Sequence, residues 1–143
     1  MRKALQAYNT PGIRVLRCGI DIERNEIHEE YATPQKYPKQ SVAYTTTHDT
    51  ETLMGMLEKM NSRQIQILCS TVGVPFSESH LAIAQSVLSA VIKSPSRYVI
   101  IPIQDWLLTT DRINIPGTED EKHDKNWQFT LPVPIEKLPL ITF

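Results

Sequence analysis

Three short apolar runs stand out along the chain: Ile13 to Cys18 (IRVLRC), Ser41 to Thr45 (SVAYT) and Arg97 to Ile103 (RYVIIPI). None alternates cleanly between apolar and polar positions. Such β-branched and aromatic runs suit strands covered on both faces, which points to a parallel sheet. Between the second and third runs the period changes to that of helices. Leu53, Leu57 and Met60 share one face of a segment starting near Thr50. Ile65, Leu68, Cys69 and Val72 repeat the helical spacing, with Ser62 as a candidate N-cap, Gly73 as the stop and Pro75 beyond. Leu81, Ala84, Leu88 and Val91 mark a third helix after Ser77, ending near Lys93.

The remaining stretches lack a period. Residues 21–40 are polar, contain Pro34 and Pro38, and are expected to be a long loop. From Asp105 onward the chain carries Pro116, Pro132, Pro134 and Pro139, so little regular structure is expected there. Strand, loop, strand, helices, strand is an α/β pattern, with few strands for a closed sheet.

Composition narrows the function classes. The 143 residues fit one domain, and 41% hydrophobic with 22% charged residues describes a globular chain. Fifteen basic and 16 acidic residues leave a formal net charge of −1, which argues against a nucleic-acid partner. No apolar run approaches the roughly 18 residues of a membrane helix, and the N-terminal MRKALQAYNTPG has no signal-peptide core. Cys18 and Cys69 form no zinc pattern and are expected to be reduced core thiols of a cytoplasmic protein.

The densest chemistry is Thr45-Thr46-Thr47-His48-Asp49-Thr50-Glu51-Thr52, where the second strand stops and a helix begins. Carboxyl ends of parallel strands are where α/β active sites form. A carboxylate and an imidazole delivered there can bind hydroxyls or stabilise positive charge. The competing reading is structural: Asp49 or Thr50 as an N-cap, with Glu51 at the positive end of the helix dipole. A Ser41/His48/Asp49 triad is disfavoured, because adjacent residues at a strand end point different ways. His28, His80 and His123 read as solvated positions with no metal spacing. Asn126 and Trp127 suit either a sugar, through hydrogen bonding and ring stacking, or a turn amide and a core anchor.

In combination, PGIRVL at 11–16, YPKQSVAYTTTHDTETLMG at 37–55, YVIIPIQDWL at 98–107, INIPGT at 113–118 and NW at 126–127 resemble the C-terminal part of the 4-α-glucanotransferases, or amylomaltases. The resemblance covers most of the chain. It implies the last three strands, sixth to eighth, of a (β/α)8 TIM barrel, with residues 1–143 as part of its catalytic domain. It also implies transfer of α-1,4-glucan segments between maltodextrins by a retaining mechanism, which needs a nucleophile and a general acid/base. Asp49 matches the family's transition-state-stabilising carboxylate, and His48 and Asn114 match substrate-binding positions. The nucleophile and acid/base belong to motifs like RIDH and AEDLG, neither of which occurs here.

The expectation is therefore a 4-α-glucanotransferase segment that is inactive alone. It would use no cofactor or metal, and it would bind maltodextrin but neither nucleic acid nor membrane. The alternative is a non-catalytic derivative that binds maltodextrin or a partner chain. Positions 46, 50 and 51, here Thr, Thr and Glu, are Gly, Asn and Asp in some members.

Overall fold

The computed structural model describes Leu5, residues 7–118 and 126–138. Its centre is a three-stranded parallel sheet built from β1 (Gly12–Val15), β4 (Ser41–Tyr44) and β5 (Tyr98–Val99), in that spatial order. Gly12 pairs with Ser41, Val15 with Tyr44, and Val42 with Tyr98. Within this sheet the spatial order follows chain order.

All three expected strands exist, but each is shorter than the apolar run that marked it. After Val15 the chain tightens into a 3₁₀ turn, Leu16–Gly19, which carries Arg17 and Cys18 out of the sheet. Arg97 precedes β5, and Pro102 opens a short helix, α5 (Ile103–Trp106). Apolar composition alone does not distinguish a strand from the turn or helix that continues it.

Residues 21–40 are not a featureless loop. β2 (Ile20–Asp21) and β3 (Glu26–Ile27) form a small antiparallel hairpin. Its turn is closed by the Arg24 N–H donating to Asp21 Oδ1 at 3.0 Å, with Asn25 in the left-handed region at φ 55°. A four-residue helix, α1 (Glu29–Ala32), follows, then a 3₁₀ turn at Pro34–Lys36. The buried Tyr37 hydroxyl donates to the Tyr31 carbonyl and fixes this segment on the core. Burial holds the Tyr37 phenol well above its ordinary pKa, despite the nearby Arg14 charge. Gly19 is required where α1 crosses: a Cβ there would lie 2.7 Å from the Ala32 nitrogen.

The three helices between β4 and β5 carry most of the core. α2 (Leu53–Lys59) starts three residues later than Thr50, with Thr52 as N-cap accepting from the Gly55 N–H. α3 (Ser62–Val72) is capped by Asn61, not Ser62, in a reciprocal capping box with Gln64. It stops at Gly73, which adopts the left-handed conformation at φ 76°. α4 (His80–Ile92) is capped by Ser79 and ends at Lys93. Its buried face is Ile83, Ala84, Val87, Leu88 and Val91, whereas Leu81 faces solvent. Leu81 shares the spacing of Ala84 and Leu88 but lies at the edge of the buried face.

These helices pack with Leu16, Ala43, Leu53, Met56, Leu57, Leu68 and Val72 into one apolar cluster. Burying each such side chain stabilises the fold by about 1.5–3 kcal/mol relative to exposure. Cys69 lies in this core, while Cys18, expected there, is exposed. The 3₁₀ turn accounts for the difference, since it rotates Cys18 off the strand's inward alternation.

Among the described residues, helices cover one face of the sheet and leave much of the other open. Ala43, Val99 and Ile101 face the helices. Ile13 and Tyr98, in register with Val42 between them, are 60% and 51% exposed, and Ile100 is 51% exposed. The expectation of strands covered on both faces is therefore not met by the described residues.

Beyond α5, regular structure among the described residues is limited to a 3₁₀ turn at Ile135–Lys137. His123 and Pro139 lie outside those residues. No helix among the described residues is long and apolar enough to cross a membrane.

A charged tie joins the end of β1 to the start of α2. Glu51 accepts from Arg17 at 3.0 Å and from Lys59 at 2.8 Å. Partial burial alone would lift the Glu51 pKa, but the Lys59 hydrogen bond, its own backbone N–H and the Arg17 guanidinium outweigh that and lower it to about 2. Glu51 thus serves as an ion-pair hub between β1 and α2, a tie that helix-dipole reasoning did not anticipate.

Two predictions follow from these features. A carboxyl depressed in the folded state contributes stability above its ordinary value of 4.5 and loses it as pH falls towards about 2. Denaturant titrations should show the native chain losing stability relative to Glu51→Gln across that window, and parallel pH curves would contradict the tie. The uncovered apolar sheet face should drive self-association of the isolated chain. Analytical ultracentrifugation should find species heavier than a monomer, and a monomer with a sharp two-state melt would contradict this.

Candidate active site at the carboxyl end of the sheet

The middle strand supplies the site because its chain does not run straight into α2. Instead, residues 47–50 close a turn. The Thr50 N–H donates to the Thr47 carbonyl at 3.2 Å, and the Thr47 N–H donates to Thr50 Oγ1 at 3.0 Å. The turn pushes His48 and Asp49 outward at the carboxyl end of β4, and both are exposed.

Asp49 is not a helix cap. Thr52 fills that role, so the carboxylate is free for other contacts. Its Oδ1 accepts from Asn114 Nδ2 at 2.7 Å, and its Oδ2 lies 3.3 Å from His48 Nε2. Arg112 Nη2 donates to the Asp49 backbone carbonyl at 3.0 Å. Asn114 is buried although 65 residues away in sequence, so the loop after α5 is folded back onto the strand end. The three positions singled out from sequence therefore meet in space.

Asn126 and Trp127 join them. Asn126 Oδ1 accepts from the Ile115 N–H at 2.8 Å, its Nδ2 donates to Thr118 Oγ1 at 3.0 Å, and the Trp127 N–H donates to the Ile113 carbonyl at 2.7 Å. Trp127 is 66% exposed, which excludes the core-anchor reading. Its ring lies 5.2 Å from the His48 ring, tilted by 41°. A carboxylate, an imidazole, a buried amide and an open indole face thus share one rim. Such a set offers hydrogen bonds to hydroxyls and an apolar surface for a sugar ring, and it places negative charge where a cation could develop.

Beneath this rim lies Asp105, whose role sequence reasoning missed. Its buried carboxylate accepts from the Thr45 hydroxyl, from the Thr46 hydroxyl at 2.5 Å and from the Leu53 N–H at 2.7 Å. Burial pushes its pKa up, against the pull of those three donors. Two consecutive threonines after a strand, with an aspartate following the next strand, are the available signal.

Several other candidates do not join the site. Ser41 sits at the opposite end of β4, bonded to the Pro38 carbonyl and Ser96, so no triad forms with His48 and Asp49. His28 is an exposed residue preceding α1. His80 begins α4 and is half-buried. Among the described residues, no group of three or more His, Cys, Asp or Glu side chains is placed to hold a metal ion.

Comparisons with known proteins agree on what this arrangement resembles. Residues 1–135 match the family model described as 4-alpha-glucanotransferase. The chloroplastic/amyloplastic 4-alpha-glucanotransferase of Solanum tuberosum is 28% identical over 92% of this chain and 21% of its own length. A 4-alpha-glucanotransferase of Synechocystis is 31% identical over 78% of this chain and 21% of its own length. An amylomaltase from Streptococcus agalactiae, solved in complex with acarbose, superposes with a TM-score of 0.68 at 23% identity, over 88% of this chain and 24% of that one. The chain thus spans about a fifth of the length of the curated relatives it matches. With the family model matching nearly the whole chain, this protein belongs to the 4-alpha-glucanotransferase family.

Proposed function

We propose that residues 1–143 form part of a 4-α-glucanotransferase catalytic domain, its sixth to eighth barrel strands, and that Asp49 stabilises the transition state of glucan transfer. The reaction is the transfer of α-1,4-glucan segments between maltodextrins with retention of configuration. In this reading β1, β4 and β5 are consecutive strands of a (β/α)8 barrel, and their carboxyl ends face the substrate. The observation that carries it is the Asp49 carboxylate, held between Asn114 Nδ2 and His48 Nε2 at the end of the middle strand and relieved of capping by Thr52.

The chemistry divides as follows. In a retaining transfer, one carboxylate attacks the anomeric carbon while a carboxylic acid protonates the leaving oxygen. Both groups would come from strands outside this segment, since the motifs that carry them in the family are absent. Asp49 would face the positively charged sugar ring and bind its hydroxyls more tightly as that charge develops. His48 and Asn114 would donate to sugar hydroxyls, and Trp127 would support the ring of a neighbouring unit. The second reading, a non-catalytic maltodextrin or partner-chain binder, draws support from the uncovered face around Ile13, Tyr98 and Ile100.

Two measurements test the proposed division of roles. The 143-residue chain alone should release no glucose from maltotriose, and release that disappears in Asp49→Asn would overturn the division of roles. In a complete enzyme carrying this segment, Asp49→Asn should lower kcat at least about a hundredfold, as removal of one preorganised electrostatic group does. Its Tm should stay within a few degrees, and His48→Ala should cost less activity. Near-normal turnover in Asp49→Asn would remove Asp49 from the chemistry.

A further inference from the structure

We propose that the small cavity beneath His48 binds one water molecule, and that Gln104 is a positioning residue holding the His48–Asp49 turn through that water. The inference does not rest on the glucan reading. Gln104 is the second residue of α5, with 2% of its surface exposed, and its Nε2 donates to no atom among the described residues. Arg112 Nε is equally buried and equally without a partner. Both residues line the same cavity of about 10 Å3, together with Thr47, His48 and Asp111.

Two buried donors cannot satisfy one another. Each left unpaired costs about 1–3 kcal/mol, so an acceptor is required. An oxygen with two lone pairs meets both, and the cavity volume is at the lower limit for one water. A phosphate, a carboxylate or a sugar ring exceeds that volume. The hydrogens of the water would point to the threonine hydroxyls and the Asp111 carboxylate on the cavity wall, completing its usual set of about three bonds.

Such a water would join α5 to the loop that follows it. Arg112 already donates from Nη2 to the Asp49 carbonyl at 3.0 Å. Gln104 precedes Asp105, whose carboxylate grips Thr45 and Thr46. A shared oxygen would make the Gln104 and Arg112 side chains one unit, fixing the turn from below while Asp105 fixes it from the strand side.

The test uses the full 143-residue chain. A crystal structure fine enough to resolve single waters should show one within hydrogen-bond distance of both Gln104 Nε2 and Arg112 Nε. A dry cavity, or Gln104 bonded directly to a protein acceptor in its place, would overturn the proposal. In denaturant unfolding, Gln104→Met and Arg112→Lys should be non-additive, with the double variant departing about twofold or more in folding constant from the product of the single effects. Strict additivity would show that no shared oxygen couples them. Hydrogen exchange adds a readout that loss of packing alone would not produce: amides 47–50 should lose protection in Gln104→Met and regain it in Gln104→Asn with a second bridging water. Equal loss in both variants would count against a donor role.

Discussion

Asp105 brings a carboxylate into the interior at the point where three elements must meet. Two of its partners are the hydroxyls that end β4, and the third is the first backbone N–H of α2. Removing a carboxylate from water is unfavourable, and the raised pKa records that cost. The residue is tolerated because each donor would otherwise be an unpaired polar group in the same place. The consequence is geometric: the strand end and the helix start are clamped, so the six residues between them have little freedom except to close a turn outward. That turn carries His48 and Asp49.

The remainder of the site follows from this constraint. With Thr52 capping α2, Asp49 has no backbone duty and can take a side-chain partner. Asn114 reaches it from a loop pinned by Asn126, whose two amide atoms hold Ile115 and Thr118. On the far side of the sheet register, Glu51 links Arg17 to Lys59, so the β1 end is tied to the same helix. Rigid strand ends with hydrogen-bonded loops are the usual means of holding a polar constellation to the tolerance that chemistry demands. The exposed Ile13, Tyr98 and Ile100 leave an apolar patch on the same sheet.

Much of this was legible in the sequence where a local signal exists. The 3.6-residue spacing from Ile65 to Val72, stopped by Gly73, identified α3 closely, and the apolar runs located all three strands. The meeting of His48, Asp49 and Asn114 came from the motif combination, because no periodicity links residues 65 positions apart. What escaped lacked such signals. The β2–β3 hairpin is two residues per strand, too short for alternation to register, and only Asp21 and Asn25 mark its turn. Leu81 obeys helical spacing yet is 49% exposed at the edge of the α4 face. Thr52 displaced Asp49 and Thr50 as cap because all three are competent capping types, and tertiary contacts chose among them. The Asp105 clasp joins residues 52 to 60 positions apart, a distance at which a single sequence gives no pairing information.

The claim that a buried carboxylate positions the site is tested most directly by hydrogen exchange on Asp105→Ala, compared with the native chain. Truncation leaves the Leu53 N–H and two hydroxyls without their acceptor, a local loss on the order of 1–3 kcal/mol for each buried group. Amides from Thr45 to Leu53 should lose at least about tenfold in protection, while those of α3 and α4, which rest on the apolar cluster, should keep theirs. Unchanged protection at 45–53, or equal loss throughout α3 and α4, would contradict the account.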